Sequence, residues 1–197
     1  VGEYPGLEVH GVVGNFLEHL DGIPEGSDRL VLFLGGTIGN LPLRPQARDF
    51  LRSLDEAMDP GDWLLLGTDL IKPVDRVESA YNDGAGVTAS FNLNILDVVN
   101  RQFAADFAPP LFRHLAFYNE VDHRIEMWLV STVPQRIVVQ TAELELELEP
   151  GDGIRTEIST KYDRPRVEEL LDDTGFDLVH WYTDPEELFA LSLARRR

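Results

Sequence analysis

The sequence predicts an α/β fold in which an open, mainly parallel sheet is interrupted by an inserted α+β domain. Three observations predict it. Val31 to Leu34 and Trp63 to Leu66 are continuous apolar runs separated by a helical pattern, which marks parallel strands covered on both faces. Beyond Leu70 the strands alternate instead: Ile125, Met127 and Leu129 oppose Arg124, Glu126 and Trp128, the pattern of an antiparallel sheet with one wet face. The tail then returns to the first style, with a short helix and two more strands.

Taken in order, Leu7 to Val13 reads as a short strand closing on Gly14, Asn15 and Phe16, and Phe16 to Leu20 could start a helical turn. Arg29 to Leu34 is a second strand, ending in Gly35, Gly36 and Thr37. Pro45 suits a first helical turn, and Ala47, Phe50, Leu51, Leu54, Ala57 and Met58 recur at helical spacing until Pro60 and Gly61. Trp63 to Leu66 is the third strand. Helical patterns follow over about Pro73 to Asn82 and Asn92 to Phe107. Leu144, Leu146 and Leu148 alternate with Glu143, Glu145, Glu147 and Glu149. Pro150 to Gly153 supplies a turn, so Ile154 to Tyr162 is expected to pair back on that acidic strand. Pro165 to Asp173 reads as a helix capped by Asp163 and ended at Gly175; Phe176 to Tyr182 and Leu188 to Leu193 are the final strands. The division expected is residues 1–71 with 162–197, and an insert over 72–161.

The chain has 35 Asp and Glu against 17 Lys and Arg, a formal charge of −18. Phosphate backbones and anionic lipid are repelled at long range, so neither nucleic acid nor a membrane is expected as a partner. Its longest apolar runs fall far short of the roughly 20 residues that cross a bilayer. Zero Cys excludes disulfides and thiolate chemistry. The five His form no HxH or HxxxH pair, and the Glu143 to Glu149 ladder has no His beside it, so no metal is expected. The chain opens on Val without a basic-apolar leader, which reads as a fragment or a processed chain with a cytoplasmic location.

Three groups of residues can carry chemistry. Gly35-Gly36-Thr37-Ile38-Gly39-Asn40 follows a buried strand, where ligands of open α/β sheets bind; its glycines allow close approach and Asn40 both donates and accepts, which suits a zwitterion. The same two glycines also serve an ordinary steric turn. Asn15 before Phe16 could hold an adenine edge and face, or simply cap a helix. Glu157 and Ser159, two apart in a strand, project from one face, together with Arg155 and Lys161. That face is either a solvated surface or a pocket for a ring with two nitrogens, the carboxylate accepting N–H and the hydroxyl serving the other nitrogen.

The strings Tyr4-Pro5-Gly6-Leu7, Gly14-Asn15-Phe16-Leu17-Glu18-His19-Leu20, Phe33-Leu34-Gly35-Gly36-Thr37-Ile38-Gly39-Asn40-Leu41, Gly67-Thr68-Asp69-Leu70, Thr156-Glu157-Ile158-Ser159 and Trp181-Tyr182-Thr183-Asp184-Pro185 resemble the histidine-specific Nα-methyltransferases of ergothioneine biosynthesis, over their C-terminal three-fifths. The resemblance implies a Rossmann-like class I methyltransferase sheet lacking its N-terminal strands and cofactor loop, with an inserted α+β substrate-binding domain. It implies transfer of three methyl groups from S-adenosylmethionine to the α-amine of histidine, giving hercynine, by an enzyme that is monomeric at full length and of which this fragment alone is inactive. Asn15 and Phe16 match the adenosyl-holding positions, although the family usually has Asp where this chain has Asn15. Gly35, Thr37, Asn40 and Tyr81 match the side that holds the amino-acid end of the substrate. Glu157 and Ser159 match the imidazole-recognising pair, and Met127 a wall of that pocket. No catalytic acid or base is implied, because a neutral amine needs only positioning. A non-catalytic amino-acid-binding module and a sister methyltransferase for another amino acid are the alternatives.

Overall fold

The computed structural model describes residues 6–24, 26, 28–41 and 46–197. Tyr4, Pro5 and Pro45 therefore lie outside the described residues. Strands β1 (Leu30–Phe33) and β2 (Trp63–Asp69) pair in parallel through the crossover helix α1 (Arg48–Ala57). Strand β9 (Phe189–Arg196) runs antiparallel between β2 and β8 (Phe176–Thr183), giving the order β1-β2-β9-β8. This mixed sheet, with its parallel strand-helix-strand unit, is Rossmann-like.

Among the described residues, one face of the sheet is filled. Leu64, Leu66 and Thr68 of β2 stand opposite Ala194, Ser192 and Ala190 of β9, and all are buried. Phe50, Leu51 and Leu54 of α1 and Val167, Leu170 and Leu171 of α4 (Arg164–Asp172) pack into the core on that side. Arg48 of α1 pairs with Glu169 and Asp173, so the two helices lie side by side. Among the described residues, nothing covers the other face at β1, so the expectation of a sheet covered on both faces is not met there and Leu30 and Leu32 stay 53% and 56% exposed. A continuous apolar run reports that both faces avoid water in some packing, but not which elements supply it.

Other expectations also change. Residues 7–13 form no strand and lie exposed, because alternation alone makes no ladder without a neighbour's hydrogen bonds. Phe16 to Leu20 holds a turn, followed by a 3-10 turn at Leu20–Gly22. Helix α2 (Val74–Tyr81) forms close to its expected span. Helix α3 (Val87–Phe103) begins before Asn92, since the Asp83 carboxylate accepts the Val87 and Thr88 amides, and it ends at Ala104, whose φ is 48°.

Two strands were not legible: β3 (Phe112–Asn119) and β5 (Gln135–Val139). They change the pairing of the whole middle region. Strand β6 (Leu144–Leu148) pairs with β5, while β7 (Gly153–Thr160) joins β4 (Arg124–Ser131) in the order β3-β4-β7. The expected hairpin of the acidic strand with residues 154–162 is thus corrected. Arg136, not Arg155 or Lys161, reaches the acidic ladder, at Glu145. The second face of β4 is not wet either. Glu126 is buried there, where Arg124, Asn119 and the Trp128 indole hydrogen-bond to it. Burial pushes its carboxyl up, but those bonds together outweigh it and hold the group below the ordinary value.

Candidate functional site

Register builds the site. In the β4–β7 ladder Met127 stands opposite Glu157 and Ile125 opposite Ser159, so Met127, Glu157 and Ser159 share one face. A bulge between Met127 and Trp128 lets β7 carry an extra residue, Thr156. That slip sends Arg155 to the opposite face, where it lies 5.8 Å from the Trp128 ring centre and beside Glu126. The expectation that Arg155 shares the face of Glu157 is therefore corrected by one inserted residue. The Thr156 hydroxyl donates to Asn92 Oδ1 at 2.6 Å.

A chain of hydrogen bonds runs from the bulge to α2. Asn92, fully buried, lies 2.9 Å from His114 Nδ1, and His114 Nε2 lies 2.9 Å from the Tyr81 carbonyl. One assignment satisfies both contacts: Nδ1 accepts from Asn92, and Nε2–H donates to Tyr81. The last residue of α2 is thus pinned to β3.

The centre of the cluster is Lys161, expected on a solvated surface and found 1% exposed. Its Nζ donates to Ser159 Oγ at 2.8 Å and Tyr81 Oη at 3.2 Å, pairs with Asp69 Oδ2 at 2.7 Å, and lies 5.1 Å from the Tyr81 ring centre. Asp69 ends β2, and its other oxygen meets Lys72. One buried ammonium therefore ties the end of the large sheet to the antiparallel sheet and to α2. Residue-level reading missed Lys161 and Asp69 as site residues; the only signal was their place, Asp69 at a strand's carboxyl end and Lys161 two residues after Ser159.

Glu157 is half-buried, and among the described residues no hydrogen bond reaches its carboxyl. Burial pushes it above the ordinary carboxylate value, and the Lys161 charge offsets this only in part. A poorly solvated acceptor without a partner is what a bound N–H would satisfy.

The loop after β1 closes the cluster from the other side. Gly35 and Gly36 take φ of 78° and 72°, Thr37 Oγ1 bonds the Leu34 carbonyl, and residues Thr37–Asn40 form a 3-10 turn. A Cβ on Gly36 would sit 3.8 Å from Asp69, and one on Gly39 only 2.7 Å from the Thr160 carbonyl, so the loop packs directly on β2 and β7. Asn40 is exposed at the end of that turn.

Asn15 and Phe16 are placed elsewhere. Phe16 contacts Phe33 and Phe50 at centroid distances of 5.6 Å, beneath β1 and α1, and remains 43% exposed. Asn15 Oδ1 accepts the Leu17 amide within a turn, so the expected helix start is not formed there, and the residue lines a cavity of about 300 Å³ together with His19. A larger cavity of about 620 Å³ lies between Lys72, Arg76, Tyr162, Arg164 and Trp181 and includes none of the expected site residues. Chemistry favours the Lys161 cluster over that cleft, because it holds the buried polar groups. No group of three or more His, Asp or Glu able to hold a metal occurs among the described residues.

The fold and this polar cluster define a Rossmann-like α/β protein with buried polar groups gathered at the carboxyl edge of its sheet. A family model described as histidine-specific methyltransferase, SAM-dependent, matches residues 1–196, and the chain belongs to that family. A histidine N-alpha-methyltransferase from Mycolicibacterium smegmatis is 48% identical over 98% of this chain. One from Mycobacterium tuberculosis is 45% identical over the same share. The chain spans 60% of the length of each. Ergothioneine biosynthesis protein 1 of Neurospora crassa is 29% identical over the whole chain, which covers 22% of that protein.

Proposed function

We propose that this chain carries the histidine-recognising part of an S-adenosylmethionine-dependent Nα-methyltransferase, which converts L-histidine to Nα,Nα,Nα-trimethylhistidine in ergothioneine biosynthesis. The observation that carries the reading is the shared face of Glu157, Ser159 and Met127, with a carboxyl lacking any hydrogen-bond partner among the described residues. Glu157 accepts one imidazole N–H, Ser159 serves the second nitrogen, and Met127 packs the ring. Amino acids without an imidazole leave these groups unpaired, and this is the strongest form of discrimination a site can have. Asn40 and Tyr81, with the Gly35–Thr37 backbone, hold the carboxylate and amine.

Asn15 and Phe16 suit an adenosyl group, since Phe16 keeps an open apolar face and Asn15 retains an acceptor lone pair and both amide hydrogens. When bound, S-adenosylmethionine supplies an electrophilic methyl group. The residues of this chain need only hold a neutral amine at about 3–3.5 Å from it and exclude water, so no strong base is required. Residues 1–71 and 162–197 act as the cofactor side and 72–161 as the substrate insert; the separate antiparallel sheets support that division. The reading extends to a monomer acting in the cytoplasm, and the charge of −18 supports a small molecule over a polyanion as partner.

A methyl-transfer assay of the full-length enzyme that carries this chain, against a panel of amino acids, tests this. Histidine is expected to gain three methyl groups in succession, while residues 1–197 alone transfer none. Transfer by the full-length enzyme to another amino acid in its place, or to none, overturns the reading.

A further inference from the structure

We infer that Lys161 is a positioning residue that makes the site take its imidazole ligand in the neutral form, by holding the Ser159 and Tyr81 hydroxyls as donors toward that ligand. The inference rests on the Glu157–Ser159 reading above and adds the charge state that the site selects.

An ammonium group donates and cannot accept. At 2.8 Å and 3.2 Å from Lys161 Nζ, the Ser159 and Tyr81 oxygens therefore act as acceptors, and their own protons must be given away. For Ser159 the complementary partner is a ring nitrogen with a lone pair. Glu157, on the same face, takes the N–H of the other nitrogen. One donor and one acceptor match a neutral imidazole tautomer, whereas an imidazolium offers two donors.

Charge points the same way. Lys161 and Lys72 are balanced by Asp69 and Glu157 without any ligand. A cationic ring would place an uncompensated charge beside an ammonium that is 1% exposed, where water screens little. The other titratable groups around Lys161 do not alter this balance. Tyr81 faces it from α2. His123, in the β3–β4 turn, accepts the Lys161 amide through its carbonyl and bonds Tyr118 through its ring. His114, on β3, is engaged by Asn92 and the Tyr81 carbonyl. Both histidines remain in every variant below, so differences between variants report on Lys161.

The test is histidine affinity by calorimetry on the full-length enzyme that carries this chain, with the demethylated cofactor product present, from about pH 8 down to about pH 5.5, across the free imidazole pKa of about 6.5. The unmodified protein is expected to lose affinity about tenfold per pH unit below that pKa, because only the neutral ligand binds. Lys161→Arg keeps a donor-only cation and should keep the slope. Lys161→Met should reduce it to less than about threefold per unit, since Glu157 then favours an imidazolium. An unchanged slope in Lys161→Met overturns the inference. A second measurement needs no variant: ¹⁵N shifts of bound, ring-labelled histidine at about pH 5.5 should show one protonated and one bare nitrogen, and two protonated nitrogens overturn the inference even if Lys161→Met fails to fold. Failure to bind histidine at any pH would instead remove the imidazole site itself. Tight binding with no pH dependence would leave that site standing and remove only the role of Lys161.

Discussion

Glu157, proposed to bind the ligand ring, weakens the fold that holds it. Its folded pKa lies above the ordinary 4.5, so the native state binds its proton more tightly than the unfolded chain does, and stability falls as pH rises from about that value through the folded one. Glu157→Gln removes the desolvated charge. It should raise the melting temperature more at neutral pH than near pH 4, where the native carboxyl is already protonated, while weakening histidine binding by about tenfold or more. Thermal unfolding at the two pH values and calorimetry check both halves; equal melting shifts would mean that burial does not destabilise the carboxylate. Thr156 is the structural counterpart. Its hydroxyl meets the fully buried Asn92, so Thr156→Val should cost about 1–3 kcal/mol in denaturant unfolding. At this scale the shared face of Glu157 and Ser159 was legible, because residues two apart in a strand lie on one side. Lys161 was not: a lysine beside other charges normally lies in water, and only the Asp69 carboxylate, 92 positions away in the chain by subtraction of their numbers, explains its burial.

Among the elements, the 3-10 turn at Thr37–Asn40 depends on one missing side chain. A Cβ at Gly39 would come within 2.7 Å of the Thr160 carbonyl, a backbone atom with no rotamer to change. Gly39→Ala should therefore push the turn off β7, lowering stability by about 1–3 kcal/mol and weakening substrate binding through Asn40. Gly84→Ala, with nothing within 4 Å, is the matched control and should change little. Equal stability of the two variants in denaturant titrations would show that the turn is not held against β7. The helices were legible at this scale because their apolar spacing and caps are local: Asp163 accepts the Arg166 amide at the start of α4 as its sequence suggests. Strand partners were not. Pro150 to Gly153 announces a reversal, but pairing of β7 with β4 instead of β6 depends on residues far along the chain, and a bulge at Thr156 then reassigns faces.

Across the whole molecule, the acidic excess and a few buried carboxylates set the response to solution conditions. Asp62, at the start of β2, is 1% exposed and receives the Asp59 amide, the Arg29 amide and the Arg29 guanidinium. Burial pushes its carboxyl up, but these bonds outweigh it and leave the pKa below the ordinary 3.8. Its contribution is thus complete above that value and is lost as pH falls through the lower folded one. Acid unfolding followed by circular dichroism should show a steep loss below about pH 4 that Asp62→Asn flattens; an identical acid limb would exclude this pair as its source. With a net charge of −18, raising salt from about 10 to 150 mM should raise the melting temperature by screening self-repulsion, and a fall would show that ion pairs such as Arg48 with Glu169 dominate instead.

Within the sequence itself, local spacing and side-chain chemistry carried the α/β class, the helices and the shared face of Glu157 and Ser159. The sequence also carried a family resemblance that the match over residues 1–196 bears out. Only the tertiary structure decided which strands pair, which face of the large sheet is filled, and that Lys161 is a buried cation joining Asp69, Tyr81 and Ser159. Those outcomes depend on contacts between distant segments, where burial and charge compensation are set by whatever folds against a residue and not by its neighbours in the chain.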